Sequence, residues 1–304
     1  YSVKKALDAT SDPEFVPANL LVVPGIYDTS ITNKVIAVAE SRQDVLSIID
    51  LEGDYKSVYE STESASTRRG SVSTVISNLK DRNIDSTFSC AFFPWVQIND
   101  RLSGNQRVWV PSSVAGLGAM AQSEAASAAW FAPAGFNRGG LGALGGPAGP
   151  TVIQARSRVD SDERDRLYSE VNINPIATFP NEGVVIFGQK TLQSGNPSAL
   201  GRINVRRLLI YLKSRISNVA RTILFDNNVS STWARFKNRA EPILSDVQSR
   251  FGLTEYKLVL DENTTTADLI DRNILYAQVY LKPARAIEFI AIDFIVTRTG
   301  AEFA

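Results

Sequence analysis

Strand and helix patterns alternate in the N-terminal part of the chain, and this alternation restricts the possible folds more than any other feature. A short apolar strand is predicted at Asn19–Val23, and the apolar residues of Ile31–Ala39 recur at helical spacing. Buried strands are predicted at Asp44–Leu51 and Ser86–Val96, with a second helical pattern at Val72–Leu79 between them. Strands that alternate with helices are typical of a sheet covered by helices. The sequence therefore predicts an α/β (α+β) fold in which helices flank a mixed sheet.

The second half of the chain carries two long helical patterns and two short strand patterns. Asn204–Asn227 has an apolar stripe and a basic face, and a second helix is predicted from Ser230 or Ser231 to Gly252. Pro242 lies inside the second pattern and is expected to kink or divide that helix. Strands are predicted at Tyr256–Leu260 and at Ile274–Leu281, just before Pro283.

The chain ends in a long apolar segment, Arg285–Phe303, which has the pattern of a strand with two apolar faces. A strand at a chain terminus exposes unpaired backbone groups, and a self-assembling protein can use it to pair with a neighbouring subunit. The alternative is an ordinary strand in the protein's own sheet. The residues predicted to join subunits are Ile287, Phe289, Ile290, Ile292, Phe294 and Val296.

The N-terminal residues have mixed charge, two prolines and little periodicity, which predicts an extended arm. We expect this arm, residues 1–18, to contact a neighbour through Val3, Leu7 and Phe15. The rest of the chain is predicted to form a core domain at 19–284, with a small subdomain around 135–200, and a C-terminal arm at 285–304.

Composition argues against several classes of function. The chain contains no histidine, so it lacks the usual general base near neutral pH and the commonest metal ligand. Its 32 basic and 32 acidic residues cancel, which removes the positive field expected of a nucleic-acid binder. No apolar run reaches the roughly 18 residues of a membrane span, and we expect a protein that is soluble when made. The single cysteine, Cys90, is predicted to be buried in a strand. No cofactor, metal, nucleic acid or membrane partner is expected.

A glycine-rich segment, 135–150, leaves an enzyme function open as an alternative. It holds seven glycines and two prolines but lacks the Gly-Lys-Ser/Thr ending or Gly-x-Gly-x-x-Gly spacing of phosphate-binding loops. In this alternative, an α/β enzyme would bind a nucleotide or sugar near residues 139–149. Its candidate carboxylates would be Asp50, Asp261 and Glu262, which are also typical turn or cap residues.

An ordered set of motifs resembles the conserved part of the contractile tail sheath proteins of bacteriophages and phage-like particles. The motifs are PGIYD at 24–28, VIAVAESRQDVLSIID at 35–50, VPSSVAGLGA at 110–119, WFAPAGFNRGGL at 130–141, GRINVRRLLIYLKSRI at 201–216, TWARF at 232–236 and VYLKPARAIEFIAIDFIVTRTGAEF at 279–303. Together they extend from about residue 20 to the C-terminus, so the resemblance covers nearly the whole chain.

The resemblance implies a structural protein without enzymatic activity. Such subunits stack as hexameric rings around a rigid tail tube, and they slide and rotate into a shorter, wider state that drives the tube through the target envelope. Their terminal arms complete a small sheet in neighbouring subunits. The implied partners are further copies of the chain, the tube protein, and the baseplate and tail terminator proteins, in a virion tail assembled in the host cytoplasm. A non-contractile tube or shell protein that uses the same strand exchange is a further alternative.

The basic residues of the two long helices are the candidates for contact with the tube. A screened electrostatic contact can hold the tube before contraction and then release it. The candidates are Arg206, Arg207, Lys213, Arg235, Lys237 and Arg239.

Overall fold

The computed structural model describes residues 1–100, 104–142 and 151–288. Its helices are α1 (Ser2–Ala9), α2 (Thr29–Arg42), α3 (Val72–Arg82), α4 (Ser112–Ala126), α5 (Gly135–Arg138), α6 (Ser161–Glu170), α7 (Ile203–Arg221), α8 (Ser230–Ser249) and α9 (Ala267–Asp271). Its strands are β1 (Leu20–Val22), β2 (Leu46–Ile49), β3 (Ser89–Phe93), β4 (Val96–Asp100), β5 (Gln106–Val110), β6 (Thr151–Ala155), β7 (Asn174–Phe179), β8 (Gly183–Ile186), β9 (Leu253–Val259) and β10 (Gln278–Pro283).

The centre of the fold is a five-stranded mixed sheet in the order β1-β2-β3-β7-β8. The first four strands are parallel, and β8 returns antiparallel to β7. Every residue of β2 and β3 is buried, as expected for parallel strands that are covered on both faces. The predicted α/β fold with a mixed sheet is therefore confirmed.

The two faces of this sheet are covered differently. On one face, α4 and a three-stranded antiparallel sheet, β5-β4-β6, pack over Ile48, Phe92 and Ile176. On the other face, α2, α3 and α6 enclose a second core with Ile49 and Phe93. Neighbouring strand residues point to opposite faces, so adjacent positions of β2 and β3 supply different cores.

One sequence prediction for this region differs in detail from the structure. The segment predicted as one strand over Ser86–Val96 forms β3 and β4, because Pro94 lies between them and has no backbone N–H for a ladder. Cys90 is fully buried in β3, as predicted. The region 135–200 supplies β6 to the three-stranded sheet and β7 and β8 to the central sheet.

The last part of the described chain builds a second layer from the helical hairpin α7–α8 and a two-stranded antiparallel sheet, β9–β10. The first half of α7 packs into the central core through Ile203 and Ile210. Its later turns meet α8 around Leu212 and Leu244. Helix α8 runs through Pro242 without division, so the predicted break is absent.

Candidate subunit-joining surface

The antiparallel pair β9–β10, called the ribbon from here on, covers one side of the helical hairpin. Its inward face carries two directly opposed pairs, Tyr256 with Leu281 and Leu258 with Val279. These four side chains pack against the core of α7 and α8. Alternation along both strands therefore fixes which face of the ribbon is buried.

The outward face of the ribbon is polar and exposed. Lys282 Nζ lies 3.3 Å from Glu255 Oε2 across the two strands. On the same face, the Tyr280 hydroxyl donates to Gln278 Oε1 at 2.7 Å. Charged and polar residues on this face limit non-specific sheet stacking, so pairing is directed to the strand edges.

Both edges of the ribbon are open among the described residues. β9 pairs only with β10 there, and β10 only with β9. Each strand consequently presents a row of backbone N–H and C=O groups to a further strand. The sequence indicated a strand that could be donated but not these open edges, although the alternation of Glu255–Val259 is a readable sign of a half-exposed strand.

The C-terminal residues predicted to join subunits fall mostly outside the described part of the chain. β10 ends at Pro283, and Ile287 is 83% exposed. The other five, Phe289, Ile290, Ile292, Phe294 and Val296, lie outside the described residues.

The N-terminal residues fold back on their own domain, so the prediction of an extended arm is wrong for residues 2–9. They form α1, and Leu7 is buried in the core beside α2, with Val3 packed at its margin. Leu7 falls on the apolar side of an amphipathic helix. Burial of its side chain stabilises this helix, although the helix is too short to show a long periodic pattern in the sequence. Phe15 is 84% exposed.

Arg42 holds the residues that follow α1, a role that sequence reasoning missed. Its buried guanidinium donates to the carbonyl oxygens of Thr10 at 2.5 Å and Val16 at 2.9 Å. Asp44 balances the charge, with its Oδ1 2.8 Å from Arg42 Nε. The spacing Arg-x-Asp at the end of a helix was the only signal available in the sequence.

Arg206 and Arg207 are buried, so their prediction as tube-facing residues is wrong. Arg206 donates to the Thr87 carbonyl at 3.1 Å and lies 3.8 Å above the Phe88 ring, and burial lowers its pKa to about 10. Arg207 donates to the Met120 carbonyl and pairs with Glu124. The reason is that the first half of α7 is surrounded by the core, so its basic residues serve internal partners.

The other four candidates remain accessible on the helical hairpin. Lys213 is exposed and donates to Gln43 Oε1 at 3.1 Å. Arg239 is also exposed and donates to Thr222 Oγ1 at 2.8 Å. Arg235 is exposed and lies 3.1 Å from Asp226, while Lys237 is half-buried. Arg235 and Arg239 are four residues apart and therefore share one face of α8.

The carboxylates proposed for an enzyme alternative have structural roles. Asp50 is buried and accepts hydrogen bonds from the Gly25 N–H at 2.7 Å and from the N–H and hydroxyl of Ser113 at 3.0 and 2.7 Å. Burial raises its pKa, and these hydrogen bonds oppose that shift. Asp261 accepts from the backbone N–H groups of Asn263 and Thr264, as in a turn. Glu262 is exposed beside it.

The start of the glycine-rich segment also has a structural role. The Leu141 N–H donates to the Val184 carbonyl and the Ile186 N–H to the Gly139 carbonyl. A Cβ on Gly139 would lie 2.5 Å from the Ile186 carbonyl oxygen, so the close approach to β8 requires glycine. Residues 143–150 lie outside the described ranges.

The described residues contain neither a metal-binding cluster nor a membrane-spanning helix. No group of three or more acidic, cysteine or histidine side chains there could hold a metal ion. None of the helices in residues 1–100, 104–142 and 151–288 has the length and hydropathy needed to cross a bilayer.

The hairpin and the ribbon both lie in a part of the chain that matches a known family. The family model of the phage tail sheath C-terminal domain matches residues 196–297. The tail sheath protein of Vibrio phage KVP40 is 35% identical over 234 residues, which are 76% of this chain and 32% of that protein. That of Enterobacteria phage T4 is 35% identical over 221 residues, 73% of this chain and 32% of that protein.

The chain contains the C-terminal domain of the tail sheath family, at residues 196–297. It spans about a third of the length of the curated relatives it matches. The fold agrees, because a cryo-EM structure of the sheath complex of an extracellular contractile injection system, in the contracted state, superposes with a TM-score of 0.73. That comparison has 21% identity and covers 93% of this chain and 72% of the other. The proteins that resemble this chain are structural, so the enzyme alternative has no support from its relatives.

Proposed function

We propose that this tail sheath chain is a structural subunit of a contractile sheath whose copies are joined by strand addition at the ribbon. The observation that carries the proposal is the ribbon itself, whose two edges are open among the described residues, in a chain that ends with a strand-like apolar segment. Residues 289–304 of one copy would pair with a ribbon edge of another. Backbone hydrogen bonds would supply affinity, and the alternating apolar side chains would supply register.

The finer assembly in this proposal is the one that the resemblance to tail sheath proteins implies. Copies would form stacked hexameric rings around a tail tube, with the baseplate and a tail terminator at the two ends. The assembly would take place in the host cytoplasm and yield a virion tail. A strand joint keeps its hydrogen bonds while the bodies on either side rotate, so the lattice could change shape without losing its connections.

Contraction in this proposal needs no bond chemistry. The extended lattice would be kinetically trapped, and the contracted lattice would have more or better contacts between subunits. Release at the baseplate would then drive the tube through the target envelope. The absence of histidine from the sequence is compatible with a device that stores energy only in contacts.

The test is a truncation after Glu288, with removal of residues 301–304 alone as the matched control. We expect the long truncation to remain folded by circular dichroism and thermal melting but to form no sleeves in negative-stain images. The control should assemble into striated sleeves. Normal sleeves from the long truncation would overturn the strand joint, and smooth tubes from the intact chain would instead favour a non-contractile tube protein.

A further inference from the structure

After the chain leaves the ribbon, it contacts the rest of the subunit again at Glu288. In the last backbone hydrogen bond of the ribbon region, the Ala284 N–H donates to the Gly252 carbonyl at 3.1 Å. Arg285, Ala286 and Ile287 are then exposed. The Glu288 side chain, by contrast, is only 15% exposed. The Glu288 carboxylate therefore ties the exit segment, residues 285–287, to the rest of the subunit.

The Glu288 carboxylate lies in a socket formed by three separate parts of the fold. Arg202, at the start of α7, places its Nε 2.6 Å from Glu288 Oε1. Gln189, which follows β8, donates its Nε2 to the same oxygen at 3.2 Å. The Tyr168 side chain of α6 lies close enough for the charge of Glu288 to add to burial in raising the pKa of its hydroxyl. Charge-assisted hydrogen bonds from several elements hold a carboxylate in one position and stabilise its ionised form.

The partners of Glu288 are themselves held in place. The Tyr168 carbonyl accepts from Lys190 Nζ at 2.6 Å, and this ammonium group lies 4.2 Å from the centre of the Tyr168 ring. Gly188 lies against the Tyr168 ring, and a Cβ there would come within 2.9 Å of it. Burial of Tyr168, followed by the nearby charge of Glu288, raises the pKa of its hydroxyl.

Space remains between the socket and the exit segment. A cavity of about 490 Å³ is lined by Gln189, Arg202 and Asn204 on one side and by Arg285 and Ala286 on the other. Gln189 Oε1 and Asn204 Oδ1 are buried without hydrogen-bond partners among the described residues. The exit segment therefore has room for movement while Glu288 stays in its socket.

We propose that Glu288 is the anchor of the C-terminal arm, the fixed point from which the segment after it leaves the subunit. The ion pair with Arg202 is kept both in the free subunit and in the assembled sheath, so the arm always begins at the same place. This inference rests on the proposed strand exchange, because it gives that exchange a defined origin. The open space beside the anchor lets the direction of the arm change during contraction without release of its root.

Trypsin tests the anchor in the unassembled chain. Lys282 is followed by Pro283 and resists cleavage, so the Arg285–Ala286 bond is the tryptic site between the ribbon and the anchor. Loss of the ion pair in Glu288→Gln should accelerate release of the peptide that begins at Ala286 by about tenfold, because proteolysis follows the population of the locally opened form. Cleavage after Lys257, inside the ribbon, serves as the internal reference and should not change.

Two further variants separate an anchor from a general loss of stability. Glu255→Gln breaks the exposed pair with Lys282 on the same ribbon and should change the Arg285 cleavage rate less than twofold, as for a surface pair. Arg202→Gln should match Glu288→Gln, and the double variant should be no faster than either one, because both remove the same interaction. Unchanged cleavage at Arg285, or equal acceleration after Lys257, would overturn the anchor.

Assembly gives the second readout. Glu288→Gln and Arg202→Gln should each give several-fold fewer sleeves at equal protein concentration, whereas Glu255→Gln should assemble normally. Faster cleavage with a normal yield of sleeves would show that the ion pair holds the chain only locally. That result would overturn the proposed role of Glu288 as the anchor of the arm. Failure of the strand exchange itself would appear separately, as normal sleeves from the chain truncated after Glu288.

Discussion

At the residue scale, Asp54 is a buried carboxylate whose pKa differs strongly from that of the unfolded chain. It follows β2 in a turn, and its Oδ1 accepts from the Tyr55 N–H at 2.7 Å. Its Oδ2 is buried and has no hydrogen-bond partner within residues 1–100, 104–142 and 151–288. Burial, with a smaller contribution from the charge of Asp50, raises the pKa of Asp54 from 3.8 to about 8. The folded protein therefore holds a proton on Asp54 at neutral pH that the unfolded chain does not.

This difference predicts how stability depends on pH. Because the folded-state pKa of Asp54 is raised, its contribution is fully present below about pH 4 and is lost as pH rises toward 8. Asp54→Asn mimics the protonated acid and keeps the acceptor for Tyr55. We expect the variant to match the wild type near pH 4 and to melt several degrees higher at pH 8.5, since one pKa unit corresponds to about 1.4 kcal/mol.

Thermal melts from pH 4 to 9 check this expectation. Asp81→Asn, at an exposed position on α3, is the control and should follow the wild-type curve. A constant difference between Asp54→Asn and the wild type at all pH values would show that Asp54 does not carry the proton.

At the scale of elements, the sequence predicted those parts whose signals are local. The periodicity of Val72–Leu79 predicted α3, and the apolar runs around Leu46 and Cys90 predicted central strands. It misjudged Arg206 and Arg207, because helical spacing shows which residues share a face but not what covers that face. Their partners Thr87 and Glu124 are 119 and 83 positions away along the chain. Contacts of such separation exist only once the tertiary fold has formed.

The segment between α1 and β1 shows the same limit, and it gives a prediction. Arg42→Met removes two hydrogen bonds to the backbone of residues 10–16 and leaves Asp44 without its buried partner. We expect a loss of about 2–4 kcal/mol, because breaking a buried ion pair leaves one charge uncompensated. Hydrogen exchange should become faster over residues 10–18, whereas α1 should remain protected because Leu7 is still buried.

Lys34→Met is the matched control for this experiment. It breaks only the partly exposed pair with Asp8, whose atoms lie 2.6 Å apart, and should cost no more than about 1 kcal/mol. Unchanged exchange over residues 10–18 in Arg42→Met would show that other contacts hold the segment.

At the scale of the whole molecule, a net charge of zero means that electrostatic recognition must come from local groups. The exposed face of α8 supplies such a group with Arg235 and Arg239, close to the turn that joins the two helices of the hairpin. Each exposed pair is worth roughly 0 to 1 kcal/mol, so a useful contact with a tube would require repetition over many subunits. A contact of this kind weakens with salt, because exposed charges are screened over about 10 Å at 0.1 M ionic strength.

The last prediction follows from that repetition. Arg235→Glu combined with Arg239→Glu should leave sleeve formation intact but lower the salt concentration at which tubes separate from sleeves, measured by sedimentation. The control is Arg166→Glu on α6, an exposed basic residue whose partner is Glu170 on the same helix. It should separate at the wild-type salt concentration. If the double variant also does so, the tube is held by another surface, and the family assignment and the strand joint would both stand without this contact.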